Sequence, residues 1–153
     1  MLFAGDHPCH WAGPLERVIA AAERILGLGP EVVVPGHGGL LDAAGVREHI
    51  GYLERLRDHA ADCFERGVDL PEATARFLAD GGFELGLPER VLITLATEYR
   101  HLRGGDERPD LVAAVGAAAR LAWEWEHHPS RSPGPAPSGP EPSAPGGGRS
   151  FAA

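Results

Sequence analysis

EVVVPGHGG, residues 31–39, runs three valines into a proline and then sets one histidine among glycines. β-Branched residues without polar alternation suit a parallel sheet covered on both faces, so EVVV is expected to be a fully buried strand. Upstream, LFAG (2–5) is short, apolar and closed by glycine, and it reads as another strand, cut close to the first residue. Between the two, GPLERVIAAAERILGLG reads as a helix. Pro14 suits its first turn, Leu15, Val18, Ile19, Ala22, Ile25 and Leu26 share one face, and Gly27 and Gly29 supply the stop. Strand, helix, strand within about 35 residues is the size of a βαβ unit, whose crossover is right-handed in nearly all cases, which makes the strands parallel. Asp6 then follows the carboxyl end of one strand and His37 that of the other, on the edge where α/β folds place ligands. Neighbouring strands about 4.8 Å apart would let one ion meet both side chains.

Beyond Gly39 the pattern turns helical. Asp42 suits the cap of a long helix to about Arg66, with Val46, Ile50, Leu53, Leu56, Ala60, Cys63 and Phe64 inward. DLPEATARFLAD opens on a capping box from Asp69 to Glu72, and PERVLITLATEYRHL and PDLVAAVGAAARLAWEWE each start at a proline and carry helical periodicity. Tyr99 and Trp123 are expected in the core. The last stretch, 129–153, is mostly Pro, Ser and Gly and cannot bury a core.

Composition narrows the chemistry. The chain has a formal charge of -8, and its 14 cationic side chains are all Arg, spread among acids, so no nucleic-acid footprint is expected. No membrane span or secretion signal is legible, which makes cytoplasmic the expected location. Two cysteines, Cys9 and Cys63, make no disulfide framework and are expected as thiols. Lys, Asn and Gln are absent and all five Ser lie in the tail, which excludes a Walker A loop, a Schiff-base lysine and a serine nucleophile on the folded body.

Glycines on both sides of His37 remove bulk around the imidazole, as an accessible metal ligand or acid/base requires; a turn histidine bonded to nearby backbone is the competing reading. Asp6 is a ligand or a carboxylate capping the loop or the helix that opens at Pro14. GDHPCHWAG sets Asp6, His7, Cys9 and His10 close together, but neighbours along an extended stretch point in different directions, which disfavours an all-local zinc site. His7 and His10 are candidate secondary or substrate contacts, and Trp11 either walls a pocket or packs over the following helix. His49, His59 and His101 fall in expected helices as surface or boundary residues.

LFAGD, then a helix, then VVVPGHGG resembles the closing half of the metallo-β-lactamase-fold hydrolases. YLERLRDHA, ERG with LPEATARFL, and PERVLITLATEYRHLRG are similar to the helical C-terminal extension of one broad group of them, so the likeness covers residues 2 to about 104. The resemblance implies an α/β fold: the C-terminal part of an αββα sandwich, one βαβ unit over 1–41, then a mainly helical extension; with the helical periodicity and the composition of the tail, the extension is expected over 42–128 and a disordered tail over 129–153. It implies that Asp6 bridges two Zn²⁺ ions and that His37 binds the second. Such ions, about 3.5–4 Å apart, activate a water against an ester, thioester, lactone or amide carbonyl of a small-molecule substrate. The family's H-x-H-x-D-H motif belongs upstream of LFAGD and occurs nowhere in the 153 residues. The chain is therefore expected to be a C-terminal portion, completed by a preceding half, by a second chain or by homo-oligomerisation. The alternative expectation is a non-catalytic helical interaction module whose sheet edge pairs with a partner. A third is a mononuclear zinc site of Asp6, His37 and His7 or His10.

Overall fold

Three aspartates start three of the helices that dominate this chain. In the computed structural model, which describes residues 1–5, 13–81, 89–105 and 110–128, the order is β1 (Leu2–Gly5), α1 (Leu15–Gly27), β2 (Val33–Pro35), α2 (Ala43–Glu65), α3 (Leu70–Ala79), α4 (Glu89–Leu102) and α5 (Leu111–His127). Asp42 Oδ1 accepts from Gly45 N at 2.8 Å, Asp69 Oδ1 from Glu72 N at 2.9 Å and Asp110 Oδ1 from Ala113 N at 2.9 Å. Each such cap satisfies a helix-end donor and contributes about 0.5–2 kcal/mol.

The helices bury one continuous core. α2 lies against α1, α3 and α4, and α4 also packs on α3 and α5. Leu15, Val18, Ile19 and Ala22 of α1 meet the buried face of α2, where Val46, Ile50, Leu53, Leu56, Ala60 and Cys63 lie, as their spacing leads one to expect. Leu78, Leu95 and Tyr99 extend the same cluster into α3 and α4. Tyr99 also donates its hydroxyl proton to the Val68 carbonyl at 3.0 Å, tying α4 to the turn between α2 and α3. Among the described residues no helix is long and apolar enough to cross a membrane.

The expected α/β architecture, part of an αββα sandwich built on a βαβ unit, is overturned. Helices make up 70% of the described residues, and the strands among them are two short parallel ones. A sandwich layer needs both faces covered, and this pair has a single buried side. Val33 is buried while Val34 and Pro35 are half-buried, and Phe3 on β1 is 77% exposed. The valine run is expected to be a buried strand throughout, yet only Val33–Pro35 forms one. Side chains alternate between faces along a strand, so helices on one side can cover only one of two adjacent valines.

Trp123 is a second correction. Expected in the core, it is 55% exposed, while Trp125 packs against the cluster. Residues two apart on a helix lie about 200° apart, so both indoles cannot face inward.

His49 on α2 is partly buried and its ring stacks near Tyr52 at 6.5 Å between centroids. Burial lowers its pKa from the ordinary 6.5, so the unfolded chain takes up the proton first on acidification. The stability owed to neutral His49 is complete above the unfolded-state value and is lost as pH falls towards the folded-state one. His49→Phe is expected to flatten this part of the pH–stability profile, measured as urea midpoints at about pH 7.5 and about pH 5.5.

Candidate functional site

β1 and β2 lie parallel, with Leu2 opposite Val33, Phe3 opposite Val34 and Gly5 opposite Pro35. The register shifts between Phe3 and Gly5, which lets the end of β1 come level with the end of β2. An irregularity of this kind bends a strand and re-aims the residues after it. Asp6 is the next residue after Gly5, and His37 stands two beyond Pro35.

The loop bearing His37 is closed at its base. Val33 N donates to the Leu41 carbonyl at 2.8 Å and Leu41 N donates back to the Val33 carbonyl at 2.9 Å, an antiparallel bridge that turns the chain on itself over 34–40. Gly38 makes the turn at φ 88°, a backbone conformation that favours glycine. His37 is exposed beside it, and a Cβ built on Gly38 or Gly39 would meet nothing within 4 Å. The imidazole thus stands on a pinned turn with open space around the next two glycines.

Asp6, His7, Cys9, His10 and Trp11 lie outside the described residues. Of the expected ligand pair the structure therefore describes His37. Imidazole and carboxylate are both zinc donors. Among the described residues no three of His, Cys, Asp and Glu converge as a metal-holding group.

A cysteine–histidine contact elsewhere has a different character. Cys63 Sγ lies 3.5 Å from His59 Nε2, and the same nitrogen lies 2.8 Å from the Ala73 carbonyl oxygen. A carbonyl only accepts, so Nε2 carries the proton and donates it to Ala73. Burial, with Asp62 adding to it, pushes the Cys63 thiol up, which keeps it protonated at neutral pH. A protonated thiol beside an imidazole whose Nε2 is already a donor is no thiolate–imidazolium nucleophile. The bond from His59 to the Ala73 carbonyl joins α2 to α3.

Glu98, which the sequence reading does not single out, is a buried acidic side chain bonded to the start of α1. It is 4% exposed, and its Oε2 accepts from Leu15 N, the first residue of α1, at 2.8 Å. Pro14 occupies the N-cap of α1 and supplies no side-chain acceptor. The carboxylate from α4 fills that role across 83 positions of sequence. Two signals in the sequence point to it: an acid between Leu95 and Tyr99 on an apolar face, and a helix start without Ser, Thr, Asp or Asn.

No family model, curated protein or solved structure matches the chain.

Proposed function

We propose that residues 2–104 belong to a zinc-dependent hydrolase of the metallo-β-lactamase superfamily that cleaves an ester, thioester, lactone or amide-type bond in a small molecule. In this reading Asp6 and His37 furnish two metal ligands, and the remaining ligands come from a preceding segment or a second chain. His7, His10 and Trp11 would line the substrate side. The observation that carries the reading is the level ending of two parallel strands, Gly5 opposite Pro35, with a Gly-Asp step after one and a Pro-Gly-His-Gly turn after the other. The helical body corrects the expected architecture without disturbing that pair of strand ends.

Bound zinc would supply a water acidic enough to act as hydroxide at neutral pH and an electrophile for the carbonyl oxygen. This chain's part is to hold: the bridge between Val33 and Leu41 fixes the base of the His37 turn, and the strand register fixes the residue before Asp6.

The test is metal analysis and ester, thioester and lactone hydrolysis on the protein purified as its native cell produces it. Asp6→Asn keeps the shape of the side chain and removes its charge. It is expected to lose zinc and hydrolysis together, by more than the roughly 10–100-fold that loss of an outer partner of a metal ligand costs. An unchanged zinc content in that variant overturns the assignment.

A second reading, a non-catalytic module that works through a partner, draws on the apolar residues left outside. Val112 at 85% exposure, Val115 and Trp123 recur along one side of α5, and β1 presents Phe3. The same metal analysis separates the two, since this module holds no zinc that depends on Asp6.

A further inference from the structure

We infer that the outer face of α5 is a self-association surface, on which a second copy of this chain lays its own α5 in the opposite direction. From Leu111 to Trp123 the helix carries one charge, Arg120. A helix that is apolar nearly all round is ordinarily covered on every side. α4 packs against one side of this one, where Ala118 is buried and Trp125 meets the core, while Gly116, Ala119 and Trp123 are exposed. At about 100° per residue these three fall within about 60° of one another, on the side away from Ala118 and Trp125.

This face carries both halves of a contact with itself. The His127 ring stacks on Trp123 with centroids 4.3 Å apart, and its Nδ1–H donates to the Trp123 carbonyl at 2.8 Å, so the two rings form one fixed ridge. Ala119 and Gly116, one and two turns earlier, leave the helix bare, and a Cβ built on Gly116 would meet nothing within 4 Å. Antiparallel helices related by a two-fold axis near Ala122 set the ridge of each copy over the bare stretch of the other. A parallel pair in register sets ridge against ridge.

Charge selects the same arrangement. Arg120 and Glu124 are exposed one turn apart on one flank of this face, and among the described residues neither takes part in an ion pair. The cation precedes the anion, the less favourable order for a pair within one helix. In the antiparallel pair Arg120 of each copy stands opposite Glu124 of the other. Both copies use the same patch, so the contact closes at a dimer.

The test follows self-association of the full chain by sedimentation equilibrium over a range of concentrations, and a monomer–dimer equilibrium is expected. Ala119→Glu sets a charge in the middle of the contact at a position exposed in the monomer. It is expected to weaken the dimer by about tenfold or more, with the far-UV circular dichroism unchanged. Arg120→Glu and Glu124→Arg each set like charges opposite one another and are expected to weaken self-association about tenfold, less at high salt. Mixed together, these two variants are expected to associate with each other as tightly as the wild type does with itself, because every charge then faces its opposite. A monomer at every concentration overturns the inference and leaves the face to a different protein. A wild-type dimer that persists in Ala119→Glu overturns its placement on α5, and charge variants that fail to associate on mixing overturn the antiparallel pairing. The mixture still decides if Ala119→Glu does not fold. None of these outcomes bears on whether zinc depends on Asp6, so the hydrolase reading stands or falls apart from them.

Discussion

Leu53→Ala is expected to cost roughly 3–5 kcal/mol of stability, read as the shift in a urea unfolding curve. Leu53 is fully buried near the middle of α2, the helix that touches α1, α3 and α4. Truncation there leaves a cavity walled by several elements, none of which can move in without leaving another neighbour. Against a total of about 5–15 kcal/mol for a domain, the loss is a large fraction. Two controls give the number meaning. Leu40→Ala, at a residue 69% exposed, is expected to change stability by no more than about 0.5 kcal/mol. Val34→Ala, at a half-buried position on the sheet, is expected to cost about 1 kcal/mol. A fold centred on its sheet would reverse the order of Leu53 and Val34, so the pair of values tests which layer carries the core. A Leu53→Ala loss below about 1 kcal/mol would contradict the packing of α2 against its three neighbours.

The helical half of the chain is legible because its signals are local. An aspartate that caps a helix acts within three residues, and a 3.6-residue apolar period marks the buried face whatever lies opposite, so Asp42, Asp69 and the stripe from Val46 to Cys63 can be read in place. The valine run misleads because its signal depends on what covers it. Three β-branched residues fit a strand buried on two faces as well as they fit one strand turn with a single inward residue, and only tertiary packing chooses. Trp123 misleads for a related reason. In WEWE the period allows either indole to face the core, and the chain turns Trp125 inward.

The candidate site is legible in part. Gly-Asp and Pro-Gly-His-Gly stand out because glycine has a local meaning, and Gly38 takes a backbone conformation that favours glycine. Glu98 escapes notice because its partner is 83 positions away. A missing cap at Pro14 and an acid on an apolar face are each ordinary alone. Joined, they describe one hydrogen bond, and only the packing of α4 beside the start of α1 joins them. The same limit applies to His59, whose expected boundary position hides its bond to the Ala73 carbonyl.

Phe77→Ala is expected to cost about 3–5 kcal/mol, against about 1–2 kcal/mol for Phe77→Leu, which keeps most of the volume. α3 runs only from Leu70 to Ala79, too short to be stable as an isolated helix, so its docking holds it. Phe77 is buried in that docking. Its ring meets Tyr52 edge-on at 5.8 Å between centroids and lies 5.2 Å from the His59 ring, both on α2. Loss of the ring removes these contacts, and the buried Leu78 and the bond from His59 to Ala73 remain to hold α3. Cys63, 3.5 Å from His59, is buried and protonated at neutral pH, and is therefore a slow target in the native protein. Alkylation mapped to Cys63 by mass spectrometry then separates two outcomes of equal destabilisation. If α3 depends on Phe77 for its attachment, Cys63 in Phe77→Ala is modified faster than the globally unfolded fraction allows, because α3 opens alone. Modification that only tracks the unfolded fraction would mean that α3 unfolds with α2 and α4 as one unit, and that Leu78 and the His59 bond suffice to keep it seated.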